Sequence, residues 1–237
     1  MTPESLVVQM TGVVKNYSAL RPLRIASLSV AVSERVAIGG IDAVGAEVFL
    51  NLVTGASLPD DGEIKVFGQN TAAVANGEAW LASLDRFGIV SERAVVLEGA
   101  TVAQNLAMPF TLEIDPLTAA TMARVRVLAE ECDIAPAWIE QRAGDVPAEA
   151  RARIHFARAI ALDPQLLLME HPTAALAEGS RAAFGALVAR VCEARALTTL
   201  AITLDTVFAA TAAQKTLTLQ AATGQLVAAR RGWWRRT

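Results

Sequence analysis

The stretch from residue 36 to residue 55, VAIGGIDAVGAEVFLNLVTG, constrains the fold more than any other part of the chain. Its apolar start predicts a short buried strand, and the glycine-rich residues 39–45 predict a loop. The apolar residues after the loop predict a helix that ends at Gly55, since glycine is common just beyond the last turn of a helix. A strand, a glycine-rich loop and a helix in this order form the frame of a phosphate-binding loop.

The residues that carry the chemistry of such a loop are different here. Gly40 and Gly45 have the spacing of the motif G-x-x-x-x-G-K-[ST], but Ala46 and Glu47 follow instead of Lys and Ser or Thr. Glu47 and Asp42 would both repel a polyphosphate. A carboxylate in the first turn of a helix is stabilising by about 0.3–1 kcal/mol, so we expect Glu47 to fill part of the phosphate position. The alternative is a plain strand–turn–helix that contains glycines.

The composition limits what kind of protein this can be. A chain of 237 residues suits one large domain or a core with a subdomain. The apolar share is 53%, but no run of about 18 consecutive apolar residues occurs, so we expect no membrane-spanning helix. The net charge of −3 gives no general attraction to nucleic acid, and we expect no secretory leader. Cys132 and Cys192 are too few and too far apart for a disulfide framework or a zinc site, so we expect two reduced and partly buried thiols in a cytosolic protein.

The order of the predicted elements indicates a layered fold. An antiparallel start is followed by alternating strands and helices, with a helical stretch in the middle and a hairpin around Thr223-Gly224. This order favours an α/β domain that carries a helical insertion. Strands are predicted over residues 6–14, 28–32, 36–38, 63–67, 87–90, 166–169, 198–203, 215–219 and 225–228. Further helices are predicted over residues 71–84, 101–110, 117–132, 148–162 and 180–194.

Five separated segments stand in an order that is typical of one family. They are ERVAIGG with GAEVFLNLVTG, LPDDGEIKVFGQ, FGIVSERAVVLEGATVAQNLAMPF, ARARIHFARAIALDPQLLLMEHPTAAL and TLAITLD. In turn they resemble the phosphate loop, the hairpin after it, the Q-loop region, the stretch from the signature motif to the D-loop, and the H-loop strand of an ABC transporter ATP-binding subunit. The resemblance covers nearly the whole chain.

The resemblance implies a P-loop NTPase-like ABC nucleotide-binding domain of the α/β class. Such a domain has a three-layer core with an antiparallel β subdomain and a helical subdomain. Here it would span residues 1–229, with the helical subdomain inserted at about residues 94–160. A basic and aromatic tail, residues 230–237, would follow.

Nearly every position that does chemistry in the family holds a different residue here. The Q-loop glutamine corresponds to Glu92, and the Walker B aspartate that holds Mg²⁺ corresponds to Glu170. The catalytic glutamate corresponds to His171, the D-loop aspartate to Ala177 and the switch histidine to Leu204. Glu170 could still hold Mg²⁺ and His171 could act as a base, but base catalysis needs a positioned phosphate. We therefore expect a structural role for this pair and no metal site.

The signature motif and the adenine contact differ in how much they keep. Five residues stand in place of LSGGQ, and they lack its two glycines and add a carboxylate: Val146, Pro147, Ala148, Glu149 and Ala150. Tyr17 lies where the family stacks an aromatic side chain on adenine, and it alone keeps its chemistry. It could stack on a base or be an ordinary half-buried tyrosine.

Residues 90–110 resemble the surface that docks a membrane permease subunit. Five apolar residues in this stretch are candidates for the contact, as far as they prove exposed: Leu97, Val102, Leu106, Met108 and Phe110. Their apolar character survives although the catalytic residues do not, which is expected if the chain still binds a permease.

These observations favour a pseudo-ATPase that binds little or no ATP and Mg²⁺, docks a permease and acts structurally or in regulation. It would lie on the cytoplasmic side, at the inner face of the membrane, and pair with another ABC-type subunit as a homodimer or heterodimer, without nucleic acid. One alternative is a working ATPase with a divergent site that uses Glu170, His171 and residues of a partner. Another is an adaptor that binds membrane through the tail, where Trp233 and Trp234 stand between arginines. Such a tail also suits a protein groove or a solvated end.

Overall fold

The strands of the chain fall into two sheets. The computed structural model describes residues 6–74, 77–91 and 93–228, so Glu92 and the tail 230–237 lie outside the described residues. The strands in the described ranges are β1 (Leu6–Lys15), β2 (Leu23–Ala31), β3 (Arg35–Gly39), β4 (Asp61–Val66), β5 (Gln69–Asn70), β6 (Phe87–Val90), β7 (Leu166–Glu170), β8 (Thr198–Ile202), β9 (Lys215–Gln220) and β10 (Gln225–Ala228). One sheet is antiparallel, in the order β2-β1-β4-β5, and the other has the order β10-β9-β3-β8-β7-β6.

The second sheet is mostly parallel. From β9 to β6 each strand runs parallel to its neighbour, with Ile38 opposite Ile202 and Met169 opposite Ala201. Parallel strands that are covered on both faces are continuous apolar runs, and all residues of β8 are buried. β10 pairs antiparallel with β9, which confirms the hairpin predicted around Thr223-Gly224.

Helices cover the second sheet. The helices in the described ranges are α1 (Ala43–Val53), α2 (Gly77–Leu84), α3 (Val102–Ala107), α4 (Ala119–Glu131), α5 (Ala148–Ile160), α6 (Glu178–Ala194) and α7 (Thr206–Ala212). Single 3₁₀ turns lie at Thr71–Ala73 and Pro136–Trp138.

Two hydrophobic clusters, one on each face of the second sheet, form the core. On one face α1 and the antiparallel sheet pack together, with Phe49 and Met10 fully buried between the layers. On the other face α3 to α7 pack around Phe184, whose ring meets Phe156 edge-on at 6.3 Å and stacks on Phe208 at 6.0 Å. Three layers around a mainly parallel sheet confirm the predicted α/β class and three-layer core.

The chain between β6 and β7 is helical, with α3, α4 and α5. α5 packs directly on β6, because a Cβ at Gly88 would lie only 2.2 Å from the carbonyl oxygen of Ala159. Before α3, the loop is fixed by buried Asn105, whose side chain accepts a hydrogen bond from the Leu97 N–H and donates to the carbonyls of Leu97 and Thr101. Within the described ranges no helix is long and apolar enough to cross a membrane.

Element boundaries differ from the prediction where turns and caps decide them. The helix predicted over residues 71–84 is divided, because the Asn70 side chain accepts a hydrogen bond from the Ala72 N–H and starts a separate 3₁₀ turn before α2. The helix predicted over residues 101–110 ends at Ala107, two residues before a proline that has no N–H for the helical ladder. The sequence did not predict α7.

Candidate functional site

α1 begins inside the predicted phosphate-binding loop. Its first residue is Ala43, so Gly45 belongs to the first turn of the helix and not to an open loop. Asp42 is the N-cap, and its Oδ1 accepts a hydrogen bond from the Gly45 N–H at 2.8 Å. Gly40 has a φ of +81°, and a Cβ there would lie 2.8 Å from the carbonyl oxygen of Leu219. Gly40 therefore serves a tight turn from strand to helix, whereas Gly45 is part of the helix.

The two residues after Gly45 do not face the helix start. Ala46 is fully buried against the core. Glu47 lies beyond the first turn, and its carboxylate pairs with Arg93 at 2.5 Å. The expectation that Glu47 fills the phosphate position is therefore wrong, because Asp42 caps the helix instead. An N-cap side chain reaches the N–H groups two or three residues ahead, whereas a residue in the second turn does not.

Tyr17 lies against the same helix start. A Cβ at Gly45 would be 3.4 Å from the Tyr17 hydroxyl oxygen. Burial raises the pKa of Tyr17, and the Asp42 carboxylate raises it further. The cavity that remains beside the ring, lined among others by Arg21 and Arg24, measures about 120 Å³. Ligand pockets usually measure about 300–1,000 Å³.

The magnesium–nucleotide complex implied by the resemblance does not fit these residues. A polyphosphate needs free N–H groups at the helix start and a cation beside them. Here Asp42 binds the Gly45 N–H, and residues 43–46 contain no basic side chain.

Arg93 joins two carboxylates that the sequence places far apart. Its Nη1 lies 2.5 Å from Glu47 Oε1, and its Nη2 lies 3.0 Å from Glu170 Oε2. Its backbone N–H donates to Ser91 Oγ at 3.0 Å. Sequence reasoning missed Arg93. The signal that could have found it is the pair of carboxylates at metal-binding positions, which need a positive charge close by.

His171 stands directly after β7 in an uncommon backbone conformation. Its φ is +41°, in the left-handed region, and its backbone N–H donates to the Ile202 carbonyl at 2.9 Å. Its Nε2 is buried and makes no hydrogen bond within the described residues. His171 and Glu170 line a cavity of about 290 Å³, together with Arg151 and others. An imidazole and a carboxylate thus meet at one cavity, but the carboxylate is already paired with a guanidinium.

The residues that correspond by resemblance to the D-loop aspartate and the switch histidine add no ionisable group. Ala177 is the N-cap of α6 and makes no side-chain hydrogen bond. Leu204 is 61% exposed. Neither side chain can bind a phosphate or move a proton.

Asp205 is a polar centre that sequence reasoning missed. It caps α7, because its Oδ1 accepts hydrogen bonds from the N–H groups of Val207 and Phe208, and its Oδ2 accepts one from the Thr173 hydroxyl at 2.7 Å. Arg181 lies 3.6 Å away. Burial opposes ionisation, but these donors and the guanidinium outweigh it and lower the pKa of Asp205. An aspartate just before a short apolar run was the signal for the cap.

The signature-like residues form the start of α5. Val146 and Ala150 are buried, Ala148 is half-buried, and Pro147 is the N-cap without a side-chain hydrogen bond. The Glu149 carboxylate accepts a hydrogen bond from the Ser180 hydroxyl at 2.6 Å, which lowers the pKa of Glu149. This start of α5 is therefore bound to the first turn of α6.

The docking candidates divide into buried and exposed residues. Val102 and Leu106 are fully buried in the core, so the prediction no longer includes them. Their burial follows from the helical period, which turns that face of α3 inward. Leu97 is 45% exposed, and Met108 is half-buried. Half-buried Phe110 lies under the guanidinium of Arg124 at 3.8 Å.

Comparison with known proteins decides the family. A family model described as "ABC transporter" matches residues 23–174. The chain belongs to the ABC transporter family. The Fe(3+) ions import ATP-binding protein FbpC 2 of Rhodococcus jostii is 30% identical over 199 residues, which are 84% of this chain and 55% of that protein. The lipoprotein-releasing system ATP-binding protein LolD of Chromohalobacter salexigens is 33% identical over 148 residues, which are 62% of this chain and 61% of that protein.

Solved structures show the same fold. The ATP-binding cassette MJ0796, titled as a dimer in a post-hydrolysis state bound to ADP and Pi, has a TM-score of 0.73 at 19% identity over 92% of this chain and 96% of its own. The cbiO1 protein of Clostridium perfringens has a TM-score of 0.78 at 17% identity over 94% of this ABC-family chain and 88% of its own. The chain spans 55% of the length of the iron-import relative named above.

Proposed function

We propose that this chain is a non-hydrolysing, ATP-binding-subunit-like component of an ABC membrane complex that docks a permease. One observation carries the proposal: the chain's own side chains bind to one another at the positions that resemble the family's phosphate and Mg²⁺ sites. Asp42 caps the helix of the phosphate loop, and Arg93 binds both Glu47 and Glu170. Such a subunit would brace or regulate the transporter.

The relatives support a role in a membrane complex. They are named as ATP-binding proteins of import systems and of a lipoprotein-releasing system, and one structural relative is titled as a dimer. We therefore expect the chain on the cytoplasmic face of a membrane, bound to a permease and paired with a second ABC-type subunit. That subunit would be a copy of this chain or a different one. The cargoes in the relatives' names differ, so the proposal names no transported substrate.

An apolar groove at the edge of the second sheet supports permease docking. It measures about 360 Å³ and lies between β6 and α5. Ile89, Met108 and Leu162 supply apolar lining, and Asp85 and Arg158 add charged groups. Amphipathic helices bind such grooves through their apolar face. Two of these side chains, Ile89 and Leu162, are 38% and 54% exposed and are free to contact a partner.

Calorimetry with Mg-ATP tests the nucleotide part of the proposal. We expect no binding heat up to about 1 mM nucleotide, which corresponds to a binding free energy weaker than about −4 kcal/mol. We also expect no phosphate release by the isolated protein. Binding in the low micromolar range, at about −8 kcal/mol, would contradict the proposal.

Affinity isolation from solubilised membranes of the native host tests docking. Wild-type protein should recover a permease, identified by mass spectrometry. Met108→Asp should reduce recovery at least about tenfold, because a charge in an apolar contact costs a few kcal/mol. Leu112→Asp is the matched control, since Leu112 is 98% exposed and does not line the groove. Equal recovery by the two variants, with unchanged melting temperatures, would mean that the groove is not the docking site.

A working ATPase with a divergent site is the second candidate. His171 and Glu170 favour it, because both side chains line one cavity and the Nε2 atom of His171 is buried. In that case the complex of this chain with its permease alone should hydrolyse Mg-ATP, and His171→Ala should remove the activity without preventing assembly. Absence of hydrolysis in the wild-type complex rejects this candidate.

A further inference from the structure

The Arg93 side chain contacts three other side chains, and Arg93 does not correspond to any of the family's motif positions named above. Its guanidinium lies 2.5 Å from a Glu47 oxygen and 3.0 Å from a Glu170 oxygen, and its Nε lies 3.4 Å from the Ser91 hydroxyl. Glu47 belongs to α1, Glu170 ends β7, and Arg93 belongs to the loop after β6. One cation therefore connects three elements.

The two carboxylates stand at the positions that the family uses for a metal ion. Glu47 replaces the hydroxyl residue that binds Mg²⁺, and Glu170 replaces the Walker B aspartate. Two carboxylates at one point repel each other unless a cation lies between them. A divalent ion would meet that need with oxygen ligands, and a guanidinium meets it with a planar fork and a permanent charge. We propose that Arg93 is the built-in cation of this site, in place of a divalent metal ion, and that it keeps the metal position closed.

The ion pairs of Arg93 with Glu47 and with Glu170, together called the Arg93 bridge, differ in solvent exposure. The Glu170 side chain is 13% exposed, whereas those of Arg93 and Glu47 are each 47% exposed. Salt and water therefore screen the Glu47 contact more than the Glu170 contact. The Glu170 contact holds the loop after β6 against the sheet, and Glu47 adds the link to α1.

This inference deepens the proposed function and rests on it for its meaning. The loop that carries Arg93 leads from β6 into the helical segment that starts with α3. In a subunit that works without nucleotide, the chain itself has to join this loop to α1 and β7. Arg93 makes that connection independent of any bound ligand.

Removal of the guanidinium should open the position to a metal ion. In Arg93→Gln the carboxylates of Glu47 and Glu170 lose their counter-charge. We expect the variant to bind Mn²⁺ with a dissociation constant of about 0.1–1 mM, as few-ligand carboxylate sites do. Binding should be at least about tenfold tighter than in the wild type, measured from the paramagnetic resonance of free Mn²⁺. Arg190→Gln is the matched control, because Arg190 is 53% exposed and pairs with Asp133 at 2.9 Å.

Two further measurements test whether the Mn²⁺ that Arg93→Gln gains binds at the carboxylates of Glu47 and Glu170. The double variant Arg93→Gln/Glu170→Gln should lose the Mn²⁺ binding that the single variant gains. Amide hydrogen exchange across residues 93–101 should be faster in Arg93→Gln than in the wild type, and saturating Mn²⁺ should slow it again. Exchange elsewhere in the chain should not change.

Several results would overturn the proposal. They are Mn²⁺ binding by the wild type as tight as in Arg93→Gln, no gain in a folded Arg93→Gln protein, and a gain that survives the double variant. If Arg93→Gln does not fold, Glu170→Gln tests the bridge from the other side, and unchanged exchange across residues 93–101 overturns it. No measurement here contains nucleotide, so ATP binding by the wild type would refute the proposed function without changing the Mn²⁺ result.

Discussion

Two carboxylates near the start of α1 have different partners and different roles. Asp42 binds the Gly45 N–H as a helix cap, and Glu47 pairs with Arg93 at the surface of the site. Loss of a helix cap costs about 1 kcal/mol, so Asp42→Ala should lower the free energy of unfolding by about that amount, and Asp42→Asn should not. Glu47→Ala should cost less than about 0.5 kcal/mol, because a half-exposed ion pair contributes little. Urea denaturation measures both free energies of unfolding. A larger loss for Glu47→Ala than for Asp42→Ala would mean that Glu47, and not Asp42, stabilises the start of the helix.

At position 46 the phosphate-loop lysine cannot be restored by one substitution. Ala46 is fully buried, so Ala46→Lys should lower the free energy of unfolding by about 3 kcal/mol or more through an unpaired buried charge. It should not produce ATP binding. Val44→Lys, at a position 54% exposed in the same turn, should cost less than about 1 kcal/mol. An Ala46→Lys protein of wild-type stability would mean that this residue faces the loop after all.

Among the elements, the loop after β7 and the helix α7 are held together by Asp205. Its carboxylate caps α7 and also accepts a hydrogen bond from Thr173. The donors around it lower the pKa of Asp205 in the folded protein, whereas an unfolded aspartate titrates near about 3.9. The charged form therefore stabilises the fold above about pH 4, and this contribution is lost as the pH falls through the lower folded-state pKa.

Asp205→Asn tests this pH dependence. Asparagine keeps the helix cap but has no charge, so the variant should be less stable than the wild type at pH 7. The difference should shrink as the pH falls below about 4, because the unfolded wild-type chain then binds a proton at Asp205 that the folded chain binds only at lower pH. Urea denaturation at pH 7 and pH 3 measures it. A difference that stays constant with pH would mean that the charge of Asp205 does not matter.

Strands and helices were predictable to different degrees. β3, β7 and β8 are apolar runs because both faces of the sheet are covered there, so the sequence alone located them. α7 was missed because only seven residues follow its cap, too few for a clear helical period. The order of the segments indicated the family and hence the α/β fold. Arg93 was not predictable, because Glu47 and Glu170 lie 46 and 77 residues away and only the folded loop brings the three together.

In the molecule as a whole, the layers are joined by long-range contacts. Arg195, after α6, binds the Glu131 carboxylate at the end of α4 and the Ile160 carbonyl at the end of α5. Cys132 and Cys192 are both buried in the cluster around Phe184, more deeply than the predicted partly buried thiols, and among the described residues no disulfide joins them. Burial raises the pKa of each thiol to about 12.

The two thiols should report unfolding of the whole molecule. At pH 8 in native buffer, Ellman's reagent should react with neither thiol faster than the protein unfolds, because the thiolate is the reactive form and both sulfurs are buried. In about 6 M guanidinium chloride both should react at once. The Cys192→Ser variant assigns the rates. Fast native labelling of Cys132 would mean that its side of the core opens locally.

The Arg93 bridge also affects how long the three elements that it connects stay joined. A metal ion that binds with its nucleotide leaves after each reaction, so the contacts it makes last only as long as one turnover. A guanidinium is attached to the chain by covalent bonds, and its effective concentration at the two carboxylates does not depend on the magnesium or nucleotide in the cell. The connection between α1, β7 and the loop after β6 would then last as long as the folded protein. If this subunit is non-hydrolysing and pairs with a different subunit that hydrolyses ATP, that partner alone would set how often the transporter changes state.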